Sequence, residues 1–307
     1  MHQHKIIGTE DVERTRLAAI IKYKLAIERG KPDGELEKKY IDRHYFSDKS
    51  ERNLGVFYAR KLPEGSKVCV KRITNYIDRT SSDSSRIESH VISEAYILHT
   101  IITAHPNIVK LNQVLRDPAE NAFWIEFEWI GDMNALYTSF DPMETWNLIH
   151  DVSSALAYCH SRGVAHCDVK LDNIMRRENR FVLIDFGSAF FVDNGVASPR
   201  YEVNPVGHRP PETLLSLCWN EKVDVWSLAC SAVEFFCMSK REPHPFLYDS
   251  EASAGVHLLR VASLIGKIPA VMTMHVPDDV LMEIRAAGMD ARGKCPGMLE
   301  VDEEMKR

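Results

Sequence analysis

The sequence predicts an α+β fold in two parts, a β-rich front half joined to a helix-rich back half. Three observations carry this. Between about residues 46 and 130 the chain reads as short apolar runs with strand alternation, as in LGVFYARKL, KVCVKRI and NAFWIEFEWI. After residue 141 the apolar residues recur at the 3.6-residue period, as in DPMETWNLIHDVSSALAYCHSRG. The 307 residues suit one large domain or two lobes, at roughly 100–200 residues per domain.

Composition narrows the class. Hydrophobic residues make up 45% and charged residues 27%, which allows a core and a soluble surface. A net charge of −6 supplies no electrostatic footprint for nucleic acid. The seven cysteines are odd in number, irregularly spaced and without a CxxC pair, which argues against a disulfide framework or a zinc site. MHQHKIIGTE has no signal-peptide core, and no apolar run approaches a membrane span. The expectation is a reduced, intracellular protein of cytoplasm or nucleus, with no nucleic-acid or membrane partner.

Residues 9–29 read as a helix, capped by Thr9, with Glu10, Asp11 and Glu13 at its positive end and Gly30 as its stop. Its apolar stripe of Leu17, Ile20, Ile21, Leu25 and Ala26 either packs on the main domain or receives a regulatory partner. KPDGELEKKY reads as a linker, so residues 1–45 form an extension and 46–307 the main domain. PEGS is a turn between two strands, SSDSS a polar loop, and RIESHVISEAYILHTII a helix. HPNIVKL and NAFWIEFEWI read as two further strands. The junction falls near Glu128–Asp132, with one lobe at about 46–128 and the other at about 132–307. Beyond it, EKVDVWSLACSAVEFF is apolar all round and reads as a buried helix; SAGVHLLRVASLIGKI and DDVLMEIRAAG are further helices.

The chemistry concentrates in VAHCDVKLDNIMRR, where a histidine, a cysteine, two aspartates, a lysine and an asparagine fall within His166–Asn173. FVLIDFGSA follows, a short apolar strand ending in Asp185-Phe186-Gly187. Upstream, VCVKRI carries Lys71 and the next helix carries Glu94; downstream, GHRPPE carries Glu212. In this order the set resembles the eukaryotic protein kinases: strand lysine, helix glutamate, H-x-D-x-K-x-x-N, D-F-G and x-P-E, over roughly residues 46–307.

That resemblance implies a two-lobed protein-kinase fold that transfers the γ-phosphoryl group of ATP, with Mg²⁺, to a protein hydroxyl. Phosphoryl transfer is catalysed mainly by positioning and charge neutralisation. On this reading Lys71 holds the α/β-phosphates and Glu94 fixes Lys71. Asn173 and Asp185 are the metal ligands, Asp168 orients the acceptor hydroxyl and takes its proton, and Lys170 stabilises the moving phosphoryl. A lysine at 170 resembles the serine/threonine kinases. Phe127 falls at the gatekeeper place, and Glu128 and Ile130 offer backbone groups to adenine. His166, Leu98, Phe186, Trp124 and Trp129 read as packing residues, and Asp224 as the buried anchor of the catalytic loop.

The pattern also departs from the family. Against G-x-G-x-x-G-x-V the chain offers SERNLGVF: only Gly55 remains, Ser50 and Arg52 replace glycines, and Phe57 stands where the adenine roof is small. Cys167 replaces the arginine that receives a phosphate on the activation segment, a segment that here contains Ser198 and Tyr201. The usual threonine falls near Pro205, and Arg292 or Lys294 is the expected partner of Glu212. Arg209 and the helix ending in LIGKIP lean toward the cyclin-dependent, MAP and SR-protein kinase branch. Three readings follow: an active serine/threonine kinase; a pseudokinase scaffold or allosteric partner with weak nucleotide binding; and a small-molecule kinase of the same fold, disfavoured because x-P-E and the substrate-docking segment are features of kinases with protein substrates.

Overall fold

The structure is a computed structural model. It describes residues 18–20, 22–23, 36–45, 54–74, 92–117, 122–131, 142–192 and 203–240, with further helical residues at 257, 258, 261 and 282. Ser50, Arg52, Ser198, Tyr201, Arg292 and Lys294, and most of the helices expected at 9–29, 253–268 and 278–288, lie outside the described residues. The chain divides into two compact units. One comprises residues 1–138, 157–162 and 173–189, the other 139–156, 163–172 and 190–307.

The first unit holds a five-stranded antiparallel sheet in the order β1-β2-β3-β5-β4: β1 Tyr40–Tyr45, β2 Leu54–Lys61, β3 Ser66–Thr74, β4 Leu111–Asp117 and β5 Ala122–Glu128. The sheet therefore begins at Tyr40, inside the stretch expected as extension and linker, where β1 follows the short helix α1, Leu36–Lys39. Between β2 and β3 the turn needs Gly65, whose φ of 71° suits a residue without a β-carbon. A second hairpin, β7 Ile174–Arg177 with β8 Arg180–Leu183, also belongs to this unit.

Register decides which side chains share a face, because directly opposed residues of antiparallel strands point the same way. Phe57 opposes Val70, while Val56 opposes Lys71 and Tyr58 opposes Cys69. One face therefore carries Val56, Tyr58, Cys69 and Lys71. The other carries Phe57, Ala59, Val68, Val70 and Trp124, which form a core closed by Leu36 and Tyr40. Tyr40 stacks on Trp124 at 5.7 Å, and Phe57 meets the same indole edge-on at 5.8 Å. Glu126 is buried on this face, yet accepts hydrogen bonds from Tyr40 Oη, Gln113 Nε2, Lys61 Nζ and Asn112 Nδ2. Burial alone would raise its pKa; the Tyr40, Gln113 and Lys61 bonds outweigh that and hold the carboxyl below its ordinary value.

Helix α2, described over residues 92–96, passes directly into a π turn at Ile97–Ile101, closed by the Ile102 amide on the Ile97 carbonyl at 2.8 Å. HPNIVKL is not the strand expected. Pro106 has no amide for a ladder, and the segment instead ties to β8: Val109 N donates to Leu183 O, Leu183 N to Asn107 O, and Asn107 Nδ2 to Phe181 O.

Helix α3, Pro142–His160, starts in the second unit and ends in the first. The second unit adds the β6 Val164–Ala165 and β9 Phe190–Phe191 pair, α4 Pro211–Leu214 and α5 Lys222–Lys240. Its described core gathers Ala165, Cys167, Val192, Val203, Trp219 and Val223. Helix α5 departs from the all-round burial expected: Val225, Val233 and Phe236 are exposed along one stripe, while Asp224, Ser227, Ser231 and Phe235 are buried. Among the described residues no helix is long and apolar enough to cross a membrane.

Candidate active site

In the first unit three distant segments converge. Lys71, on β3, reaches Glu94 Oε2 of α2 at 2.8 Å and Asp185 Oδ1 at 3.0 Å. Glu94 is 1% exposed, whereas the Asp185 side chain is 45% exposed. The cluster thus buries the carboxylate that holds the lysine and leaves the other one open. Burial of Lys71 works against its charge, but the Glu94 and Asp185 carboxylates outweigh it and hold the ammonium above its ordinary pKa. For Glu94, burial pushes the pKa up and the lysine opposes it.

Local backbone fits this convergence. Asp185 sits at φ 59°, in the left-handed region, and its carboxylate accepts the Gly187 amide at 3.3 Å. A β-carbon at residue 187 would lie 3.1 Å from Asp185 Oδ1 and 3.5 Å from Lys71 Nζ, so glycine is the residue that admits both charges. Phe186 is fully buried. Asn173, also buried, accepts the Ile184 amide on its carbonyl at 2.9 Å, so its segment is bonded to the one that carries Asp185.

Asn173 and Asp185 offer an amide and a carboxylate, the hard oxygen donors that suit Mg²⁺. Among the described residues no three or more His, Cys, Asp or Glu side chains gather as a metal site. Mg²⁺ is ordinarily bound through one or two protein groups, with phosphate and water completing its shell. The donor set fits the ion.

The expected adenine contacts lie at the end of β5. Phe127 opposes Cys69 and is buried. The Glu128 amide is spent on the Lys110 carbonyl at 3.0 Å, and its side chain pairs with Arg177 at 2.8 Å, which leaves the carbonyl as its backbone group for a base. Ile130 follows, buried, two residues beyond the strand. Trp129 lies against Tyr58 at 4.9 Å and Trp124 is core, so both tryptophans pack as read.

One expectation needs correction. Phe57 does not roof the nucleotide face: it points to the opposite side from Lys71, into the Trp124 core. Strand alternation makes Val56 the residue on the Lys71 side, one position from the assignment that the family pattern implied. Gly55 lies inside β2, within the strand expected, opposite Arg72, and a β-carbon there would come 3.3 Å from the Tyr45 ring. The space it frees is next to an aromatic side chain.

In the second unit, Lys170 Nζ contacts both carboxylate oxygens of Asp168, at 3.1 and 3.0 Å. The backbone under them is anchored from α5. Asp224, fully buried, accepts the His166 amide at 2.7 Å and the Cys167 amide at 2.8 Å. His166 is fully buried too, and its Nδ1 accepts the Asp168 amide at 3.3 Å, which is a supporting role. Cys167 has φ 63° and lies in the apolar core with Val192, Val203 and Trp219. Burial, reinforced by Asp224, pushes its thiol well above the ordinary range, so it is neutral. Pro205 opens the 3₁₀ turn Val206–His208, and its neighbour Asn204 donates Nδ2 to Ser227 Oγ at 2.8 Å and its amide to Cys167 O at 2.8 Å. Spacing alone did not single out Asn204 or Ser227; a buried asparagine at φ 66° has no signature in one sequence. Glu212 lies on α4, where burial raises its pKa.

The protein kinase domain family matches this chain over residues 54–285, and the chain belongs to that family. Among solved structures it is similar to a kinase-domain crystal structure at 19% identity and a TM-score of 0.62, over 81% of this chain and 83% of the other. At that identity the likeness speaks for the fold, a protein-kinase fold with a sheet-bearing part and a helical part.

Proposed function

We propose that this chain is an active serine/threonine protein kinase that uses ATP and Mg²⁺. One observation carries the reading: Lys71 bridges Glu94 at 2.8 Å and Asp185 at 3.0 Å, with Glu94 buried and Asp185 open. An ammonium fixed in this way is oriented for the α/β-phosphates, and Asp185 with Asn173 would hold the metal. When bound, Mg²⁺ neutralises charge that builds on the phosphate oxygens. Asp168 orients the acceptor hydroxyl and takes its proton as the new P–O bond forms and the bond to the β-phosphate oxygen breaks. Lys170, already on the Asp168 carboxylate, brings positive charge to the phosphoryl in transit. The carbonyl of Glu128 and the backbone of Ile130 hold adenine. A serine or threonine acceptor is the expectation attached to Lys170.

The pseudokinase reading draws on Gly55, which sits within β2 beside Tyr45, and on Ser50 and Arg52 in place of glycine. One experiment separates the two. Radiolabel transfer from Mg-ATP to a protein panel is measured for the wild type and for Asp168→Asn, alongside nucleotide binding. An active kinase transfers label, and Asp168→Asn abolishes transfer while sparing binding. No transfer from a wild type that still binds nucleotide selects the scaffold.

A further inference from the structure

Glu94 is fully buried on a helix that ends in an energetically poor turn. The π turn at Ile97–Ile101 follows α2 directly, and such turns recur at functional positions because something else must hold them. The helical residues 22–23 supply a contact there. Tyr23, in the helical pair 22–23, places Oη 3.0 Å from His99 Nδ1, on the π turn itself. Its ring also meets Tyr96 edge-on at 5.7 Å and His99 at 5.6 Å. These two partners flank the junction between α2 and the π turn, two and five residues beyond Glu94. Burial raises the Tyr23 hydroxyl to about 12, so it keeps its proton at neutral pH and can donate.

We infer that the helical residues around Tyr23 act in cis as the positioning element for the Lys71–Glu94 pair, with Tyr23 as the positioning residue seated on the π turn beyond Glu94. The inference rests on the reading of that pair as the nucleotide-holding one. The physical link is short. Residues 92–101 are one continuous helical segment, so a tether at Tyr96 and His99 fixes the rotation and depth at which Glu94 meets Lys71. Releasing the tether lets the segment turn away, and a buried carboxylate that leaves its lysine loses its compensation. Two arrangements then compete, and the Tyr23 contact favours the paired one. It makes the extension part of the kinase's own control, with no separate partner chain required for that contact.

The test is a double-mutant cycle in the full chain, read as Mg-ATP affinity by calorimetry. Wild type, Tyr23→Ala, Glu94→Gln and the double variant are compared, with hydrogen exchange over residues 92–101. Tyr23→Ala is expected to weaken affinity about fivefold or more, the lower end of couplings between sites. In the Glu94→Gln background the same substitution should cost less than about twofold, because the pair it positions is already gone. Exchange over 92–101 should rise. An equal loss in both backgrounds, or no loss in either, overturns the inference. If Glu94→Gln itself leaves affinity unchanged, the reading of the Lys71–Glu94 pair fails, and this inference with it. Should Tyr23→Ala not fold, Tyr23→Phe removes only the hydroxyl–imidazole contact, and His99→Ala removes that contact together with the ring packing between the two residues. They are expected to give a smaller loss in the same direction, and an unchanged affinity in both overturns the inference.

Discussion

Asp224 accepts the His166 amide at 2.7 Å with one oxygen and the Cys167 amide at 2.8 Å with the other, from a position with no solvent exposure. A buried carboxylate that receives two amides in this way is the floor on which Asp168 stands. Removing it orphans both donors. Asp224→Ala is expected to destabilise the chain by about 3–5 kcal/mol, since each buried unsatisfied amide costs about 1–3 kcal/mol and the bonds are charge-assisted. Asp224→Asn retains one oxygen and should cost less. Urea unfolding ranks the three proteins, and a milder effect for alanine than for asparagine would reject this account.

Cys167 leads to a prediction about regulation. Where kinases of the family carry an arginine, this chain has a neutral thiol packed among Val192, Val203 and Trp219. A phosphate on the activation segment finds no charge at that position, and burying it among apolar side chains would be costly. Phosphatase treatment should therefore change the transfer rate by less than about tenfold, which is 1.4 kcal/mol. A drop of about a hundredfold or more would mean that another basic residue receives the phosphate.

Much of this was legible in the sequence, for a physical reason. Catalytic spacing is local: His166 to Asn173 and Asp185 to Gly187 are short stretches whose residue types declare themselves. The buried anchor Asp224 and the packing of Phe186 and Trp124 followed from the family order. Register was less legible. Phe57 and Val56 differ by one position, and a strand turns that single step into opposite faces of the sheet. The start of the sheet at Tyr40 was hidden because YIDRHY is polar and Leu36 and Tyr40 close the core from outside the expected domain. The Tyr23–His99 contact could not be read at all, since it joins residues 76 apart, and the π turn lies within a stretch whose periodicity reads as ordinary helix.

Breaking the Lys71–Glu94 pair from the lysine side has a pH signature. Lys71→Met leaves a carboxylate that is 1% exposed without its partner, a change worth about 3–5 kcal/mol for a buried ion pair. Burial already pushes the Glu94 pKa above its unfolded value, and losing the lysine removes the main opposing attraction. A carboxyl with a raised folded pKa contributes stability that is present below the unfolded value and lost as pH rises through the folded value. The deficit of Lys71→Met relative to wild type should therefore be largest near neutral pH and shrink on acidification toward the ordinary glutamate pKa. Urea unfolding of both proteins at neutral pH and at about pH 5, near the ordinary glutamate pKa, checks it; a deficit that grows in acid contradicts the assignment of Glu94 as a buried partner. Mg-ATP affinity should fall in the variant at both pH values.

The two faces of β2 give the last prediction. Phe57 is fully buried against Trp124, whereas Val56 opposes Lys71 and is 37% exposed. Phe57→Ala should open a cavity and cost about 3–5 kcal/mol of stability. At a temperature where it remains folded, its ATP KM should stay within about twofold of wild type, because a side chain on the far face of the sheet from Lys71 contributes no contact to nucleotide binding. Val56→Trp should do the reverse. The position is partly exposed, so stability should move by less than about 1 kcal/mol. The larger ring then occupies space on the Lys71 side, and ATP KM should rise tenfold or more, about 1.4 kcal/mol of lost binding. Paired melting curves and ATP titrations of the two variants decide between the faces. If Phe57→Ala alters KM strongly while Val56→Trp does not, the nucleotide lies on the Trp124 face and the register argument fails.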